Sequence, residues 1–184
     1  MTAGAGRRLL SIDVLDAGEH DRLAEWGNRA VLGLSVGRAV SIPVLFAVQV
    51  ERAPEAVALV CGERSWTYRE LDEAASRLAC VLAARGAGPG EFVAVLFARS
   101  AEAIVAILAV LKAGAAYLPI DPAHPDARIG FMIEDAAPVA VVTTADLRSR
   151  LDGCETAVIA VDDRVVAGRS SGALSVPAPD DLPI

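Results

Sequence analysis

The sequence contains few aromatic residues, cysteines or histidines. Its 184 residues include two Trp, two Tyr, four Phe, three Cys and two His. So few aromatic side chains argue against an aromatic-rich antiparallel barrel. The three cysteines, Cys61, Cys80 and Cys154, are far apart, odd in number and without a CxxC pair, which argues against a zinc site. We therefore expect reduced, buried or half-buried thiols of a cytosolic protein.

Clusters of basic residues are also missing. Seventeen Lys and Arg stand against twenty-four Asp and Glu, which gives a net charge of −7, and no run of Lys or Arg occurs. Binding to nucleic acid or to an anionic membrane surface needs a clustered basic face. We therefore expect neither a nucleic acid nor a membrane as partner.

One segment has the length and apolar character of a membrane-spanning helix. Residues Ala30–Val50 are almost entirely apolar, but Arg38 lies near their middle and Pro43 follows. A central Arg costs about 2.5–3.5 kcal/mol in a spanning helix. An irregular segment followed by a core-facing helix explains this stretch better. The residues after Met1 also lack the pattern of a signal peptide, so we expect a cytoplasmic protein.

Small aliphatic residues supply the apolar content that is present. The hydrophobic class makes up 54% of the chain and the mean hydropathy is +0.44, which excludes global disorder. Residues of this kind, mostly Ala, Val and Leu, are typical of buried parallel strands and Ala-rich helices. The length suits one domain, or one domain and part of another.

Apolar runs and amphipathic segments alternate along the chain. The hydrophobic pattern predicts a hairpin over residues 56–67 and four later strands, separated by helices that begin after Thr67, after Ser100 and at Pro125. Two further helices are predicted upstream, one capped by Asp16 and one by Ser41, the second with Val44, Phe46, Ala47 and Val50 facing inward. This order predicts an α/β fold with a parallel sheet and flanking helices. The predicted strands are residues 92–97, 115–118, 139–143 and 156–161.

Two glycine-containing segments resemble phosphate-binding loops. Gly86–Gly90 follows a helix and precedes a strand, whereas a dinucleotide loop has the opposite order, so a helix cap and turn is favoured. Ser170–Ser175 lacks a second glycine and a lysine, which favours a flexible loop.

Four other polar residues are candidates for chemistry. Asp121 follows an apolar strand, where α/β proteins bind ligands, but stabilisation of a turn is the favoured role. His20 and His124 have no nucleophile near them in the sequence and are interpreted as surface or capping residues. Lys112 is explained by the dipole at the end of its helix. The residues thus predict half of an α/β domain without an assembled active site.

The segment Leu111–Asp121, LKAGAAYLPID, resembles the second core motif of the amino-acid adenylation (AMP-binding) domains of nonribosomal peptide synthetases. Trp66–Leu71, WTYREL, resembles their first core motif, with Trp in place of the first Leu. Residues 54–58, 128–132 and 141–144 agree in order and spacing. Leu15–Trp26 resembles the linker that follows a condensation domain. The similarity extends over roughly residues 10–183.

The resemblance implies both a fold and a reaction. The fold is α/β, the first part of the large N-terminal subdomain of an adenylate-forming enzyme. Family members activate an amino acid with ATP and Mg²⁺ as aminoacyl-AMP, and load it on the phosphopantetheine thiol of a carrier domain. A neighbouring condensation domain is a further expected partner.

The family's phosphate loop with its lysine has no counterpart in this sequence, nor has its C-terminal catalytic lysine. We therefore expect a fragment that is inactive alone and holds no catalytic, cofactor-binding or metal residue. Its expected parts are a tail and linker (1–40), the N-terminal part of the adenylation domain (41–163) and a loop or tail (164–184). The alternatives are a relative of fatty acyl-AMP or acyl-CoA ligases and a non-catalytic interaction module. Uncovered strand edges and apolar faces predict self-association.

Overall fold

The computed structural model describes residues 15–27, 40–162 and Val166. The expectations for the irregular segment before Ser41, the tail 164–184 and the loop Ser170–Ser175 lie outside these residues. Residues 1–39 and 40–184 form two compact units. Among the described residues, no helix is long and apolar enough to cross a membrane.

The first unit contains helix α1, Ala17–Trp26. Asp16 caps it as predicted, because its carboxylate accepts the backbone N–H of Glu19 at 2.8 Å while the Glu19 carboxylate accepts that of Asp16 at 2.9 Å. No residue of this helix is buried, and Trp26 is 75% exposed. Local capping, rather than a buried apolar face, therefore accounts for where the helix begins.

The second unit contains a hairpin, a sheet and the helices between its strands. Strands β1 and β2 pair in antiparallel fashion, which confirms the predicted hairpin. The elements in chain order are α2 (Ile42–Arg52), β1 (Val57–Cys61), β2 (Arg64–Thr67), α3 (Tyr68–Ala83), β3 (Phe92–Leu96), α4 (Ala101–Lys112), β4 (Ala116–Ile120), α5 (Asp126–Ala136), β5 (Ala140–Thr143), a 3₁₀ helix (Ala145–Leu151) and β6 (Val158–Ala160).

Strands β3 to β6 form one parallel sheet in the order β4-β3-β5-β6. Val93 and Val95 pack on one face with the buried sides of α3 and α4, while Ala94 and Leu96 pack on the other with Ile129 of α5. Successive residues of a strand point to opposite faces, so this division follows from the pleat. The predicted α/β class, a parallel sheet with flanking helices, is confirmed.

Helix α3 begins and ends where the sequence predicts. The Thr67 hydroxyl accepts the N–H of Glu70 at 3.2 Å, and the Glu70 carboxylate accepts the N–H of Thr67 at 2.8 Å. Leu71, Leu78 and Leu82 are buried on its inner face. After Ala83 the chain turns through Gly86, whose φ of +96° is costly for any residue with a Cβ.

The sequence predicts a buried strand at β4, but in the structure this strand is partly exposed. It lies at the edge of the sheet, and Tyr117 is 40% exposed. The N–H of Ala116 donates to the carbonyl of Glu91, so the backbone groups of Tyr117 and Pro119 point away from β3. Proline has no N–H to pair and is therefore tolerated at such an edge. An apolar run in the sequence does not show whether the strand will be central or at the edge of the sheet. The prediction of a buried strand was wrong for this reason.

Two smaller expectations need correction. In α2, Val44, Phe46 and Val50 are half-buried as predicted, but Ala47 is exposed. Cys61 is exposed at the end of β1, whereas Cys80 and Cys154 are half-buried. Ala47 and Cys61 have apolar side chains, but they lie on the outer sides of α2 and β1, whose other sides contact the core.

Candidate functional site

A crevice lies outside the carboxyl ends of β3 and β4, where the connections that follow these two strands go to opposite faces of the sheet. After β3 the chain turns to α4 on one face, and after neighbouring β4 it turns to α5 on the other. Open α/β sheets bind ligands at such a switch in direction, outside the carboxyl ends of the strands. The second core motif ends here, at Ile120 and Asp121.

This crevice, which we call the switch-point crevice, has a volume of about 690 Å³. Its apolar lining comes from the loop after β3, from α4 and from β4, and it includes Phe97, Ile107 and Pro119. Its polar lining consists of Arg99, Asp121, His124 and Arg150.

Asp121 stabilises the turn after β4, as the sequence predicted. Its carboxylate accepts the N–H of Ala123 at 2.8 Å, and its carbonyl accepts the N–H of His124 at 3.1 Å. Both bonds fold the chain back on itself, which is the usual role of a short acidic side chain in a turn.

Arg150 fixes one wall of the switch-point crevice, and sequence reasoning missed it. From the end of the 3₁₀ helix its guanidinium donates to the carbonyls of Pro122 at 2.8 Å and His124 at 2.7 Å, and also to the Asp126 carboxylate. The planar donor set of arginine suits such a multiple contact. No sequence signal could have revealed it, because the partners lie 24 to 28 residues away.

Arg99 and His124 lie on the two walls of the crevice. Both side chains are exposed, and within residues 15–27 and 40–162 neither has a hydrogen-bond or ion-pair partner. His124 is thus a surface residue, as expected, and His20 is likewise exposed. Arg99 was not singled out in the sequence, because only the fold brings the loop after β3 beside the loop after β4.

The glycine-rich segment Gly86–Gly90 lies at the opposite end of the strands from the crevice, just before the amino end of β3. It joins the end of α3 to the start of β3, with positive φ at Gly86 and Gly90. The structure therefore confirms a helix cap and turn. Within the described part of the chain, no group of three or more His, Cys, Asp or Glu side chains could hold a metal ion.

Lys112 joins two helices rather than serving only the dipole of its own. Its ammonium lies 2.6 Å from the Asp72 carboxylate and 2.8 Å from the Ser76 hydroxyl, both on α3, and 5.8 Å from the centre of the Phe46 ring of α2. The side chain is only 15% exposed. The second core motif thus begins with a contact that joins α4 to α3.

The fold is that of an α/β protein with a parallel sheet and flanking helices, and comparison with known proteins identifies its family. Residues 46–181 match the sequence model of the family described as AMP-binding enzyme. The chain belongs to this family.

Its relatives include large synthetases. It is 59% identical over 167 residues to isonitrile lipopeptide synthase of Mycobacterium tuberculosis, covering 91% of this chain and 7% of that protein. It is 40% identical over 163 residues to tyrocidine synthase 2 of Brevibacillus parabrevis, covering 89% of this chain and 4% of that protein. It is 39% identical over 153 residues to the dimodular nonribosomal peptide synthase of Bacillus subtilis, covering 82% of this chain and 6% of that protein. The relatives favour nonribosomal peptide synthetases over the acyl-ligase alternative.

Solved structures give the same family. The nonribosomal peptide synthetase FmoA3, bound to α-methyl-L-serine-AMP, matches with a TM-score of 0.73 and 34% identity over 78% of this chain and 16% of that one. The same protein bound to AMPPNP matches with a TM-score of 0.71 and 35% identity over 76% of this chain and 15% of that one. The chain thus spans a small part of each of these proteins.

Proposed function

We propose that this chain is the first part of the adenylation domain of a nonribosomal peptide synthetase. The whole protein would activate an amino acid with ATP as aminoacyl-AMP and load it on the phosphopantetheine thiol of a carrier domain, next to a condensation domain. The observation that carries the proposal is the family match over residues 46–181, with the second core motif as β4 and its flanking turns. The forms of FmoA3 bound to α-methyl-L-serine-AMP and AMPPNP support the reaction type.

The glycine-rich loop of the described residues, Gly86–Gly90, lies before the amino end of β3, away from the carboxyl ends of the strands where α/β sheets bind ligands. Among the described residues, no group of three or more His, Cys, Asp or Glu side chains could hold a metal ion. Phosphoryl and acyl chemistry needs preorganised donors for the developing charge. We therefore propose that the chain is inactive alone and that the reaction needs residues outside it. A cytoplasmic location stays a prediction.

An exchange assay on the intact synthetase tests the proposed reaction. We expect it to exchange pyrophosphate into ATP only when one particular amino acid is present. Exchange that depends on a fatty acid and on no amino acid would instead support the acyl-ligase alternative.

The reading frame of the gene tests the other alternative. A frame that continues past Ile184 into a Ser/Thr/Gly-rich loop with a lysine supports the adenylation domain. A stop codon directly after Ile184 would support a non-catalytic interaction module.

A narrower proposal concerns the product. Identity to isonitrile lipopeptide synthase is 59%, against 40% for tyrocidine synthase 2. We propose that the whole synthetase makes a lipopeptide of this isonitrile class. Disrupting the gene should remove an isonitrile-bearing lipopeptide from the metabolites seen by mass spectrometry. An unchanged profile from an expressing strain would contradict the narrower proposal alone.

A further inference from the structure

A second groove lies between helix α5 and the connection that leads from the 3₁₀ helix to β6. Its volume is about 500 Å³, and Arg150 is the lining residue that it shares with the switch-point crevice. We propose that this surface, which we call the α5 groove, docks an extended basic segment of a partner protein. The proposal goes beyond the reaction proposed above and does not rest on it.

The α5 groove is long and narrow, because it follows one side of its helix. The helix contributes residues spaced three or four apart, from Asp126 at its start to Ala137 just after its end. At 1.5 Å per residue this side is about 16 Å long, which an extended segment of about five residues would span. A Cβ added at Gly130, between these ends, would meet no neighbouring atom within 4 Å. The groove therefore has room for a polypeptide segment along its length.

Acidic side chains on both walls favour a basic occupant. Glu134 on the helix, and Asp152 and Glu155 on the opposite wall, are exposed. Within residues 15–27 and 40–162, none of these three carboxylates has a hydrogen-bond or ion-pair partner. Asp126, by contrast, is paired with Arg150. Lysine or arginine side chains of a docked segment would supply charged hydrogen-bond donors to the three carboxylates.

The distribution of charge argues against two other occupants. In the part of the chain that the structure describes, no group of three or more acidic or other ligating side chains could hold a metal ion, so the carboxylates are spread along the groove. A second copy of this chain is a poor match, because the chain has a net charge of −7 and no run of Lys or Arg. A separate protein with closely spaced basic side chains matches the groove better.

The floor of the α5 groove is apolar but offers little surface. Ile129, Ile133 and Leu151 are at most 6% exposed, whereas Cys154 is half-buried and Ala137 is exposed. Small apolar side chains would therefore gain only modest free energy there, and the ion pairs should make binding sensitive to salt. Alternate residues of an extended segment point to opposite sides. We thus expect basic residues to alternate with small apolar ones.

Titration of the 184-residue chain with a labelled synthetic peptide, followed by fluorescence anisotropy, tests the docking. The probe is the capped pentapeptide Lys-Val-Lys-Val-Lys, and two matched peptides carry Gln or Glu in place of Lys. We expect only the Lys peptide to bind, and its affinity to fall about fivefold between about 50 and 200 mM salt. Equal affinities for the three peptides, or an affinity that does not depend on salt, would overturn the proposal.

Three variants test whether the peptide binds in the groove. Glu155→Gln should weaken binding by about threefold, as for one exposed ion pair. Gly130→Leu should weaken it by about tenfold, because the new side chain occupies the groove, and it should keep the helix, since leucine is the better helix former. The matched control is Glu63→Gln, which removes an exposed carboxylate at the hairpin turn and should leave binding unchanged. Equal effects of Glu155→Gln and Glu63→Gln, or full binding by Gly130→Leu, would contradict docking in the groove.

Thiol modification gives a second readout within the same chain. Cys154 lies in the groove lining, whereas Cys61 is exposed at the end of β1. We expect the Lys peptide to slow alkylation of Cys154 by iodoacetamide and to leave that of Cys61 unchanged, as measured by mass spectrometry. Protection of both cysteines alike, or of neither, would overturn the site. Protection of Cys154 that rises with the concentration of the chain alone would identify a second copy as the occupant and would also overturn the proposal.

Discussion

At the scale of single residues, Lys112 and Arg150 each connect segments that are far apart in the chain. Lys112 reaches Asp72, 40 residues earlier, and Arg150 reaches the turn after β4. Sequence reasoning assigned Lys112 a local role and gave Arg150 none, because such partners are set by tertiary packing. Asp121 was predicted correctly, since its bond to Ala123 spans two residues.

Lys112→Met tests the contact between α3 and α4. We expect it to lower the free energy of unfolding by about 1–2 kcal/mol, because it leaves the Asp72 carboxylate, 30% exposed, without its cation. Denaturant unfolding followed by circular dichroism would measure the change. The control is Arg77→Met, whose pair with Glu73 is longer, at 3.8 Å, and more exposed, and which should cost less than about 0.5 kcal/mol. Equal losses for the two variants would contradict a special role for Lys112.

Arg150→Met tests the wall of the crevice. Loss of the guanidinium should let the turn at residues 121–126 open locally, so that the backbone amides of Ala123 and His124 exchange about fivefold faster with deuterium. Amides of β3 should keep their protection, since the strand's hydrogen bonds are untouched. Unchanged exchange at Ala123 and His124 would show that Asp121 alone holds the turn.

At the scale of elements, the sequence predicted where helices begin better than where strands lie. Caps act over three residues, so Asp16 and Thr67 identify their helices without knowledge of the fold. The strand order β4-β3-β5-β6 is decided by packing, which is why β4 was expected to be buried and is an edge strand. The 3₁₀ helix that carries Arg150 has no buried residue except Leu151, and its pattern gave no signal.

Thr67→Ala tests the capping of α3. We expect a loss of about 1 kcal/mol in the free energy of unfolding, because the N–H of Glu70 loses its acceptor at the start of the helix. Thr144→Ala is the matched control, since Thr144 precedes the 3₁₀ helix without a side-chain capping bond. Thermal unfolding of the two variants would compare them. A destabilisation by Thr144→Ala as large as that by Thr67→Ala would contradict the capping argument.

At the scale of the whole molecule, exposed aliphatic side chains lie along the outer side of α2. Ile42, Leu45 and Val48 are each more than half exposed and recur every three residues. The β4 edge offers less for association, because Pro119 removes one of its outward N–H donors. We therefore expect self-association to involve α2 more than strand pairing.

Light scattering over a range of concentrations tests this expectation. The average mass should rise with concentration, and Leu45→Lys should reduce the rise, because a charge on an apolar contact is costly to bury. Pro119→Lys is the comparison variant at the sheet edge and should have the smaller effect. A constant monomer mass would contradict self-association, and a larger effect of Pro119→Lys would place it at β4.

The central claim is that this chain is one part of an adenylation domain whose chemistry needs the rest. Reconstitution tests it most directly: the chain and a second protein with the remainder of the domain from the same gene are assayed for amino-acid-dependent ATP–pyrophosphate exchange, separately and mixed. We predict no exchange by the chain alone and exchange by the mixture. Amino-acid-dependent exchange by the 184-residue chain alone would contradict the claim.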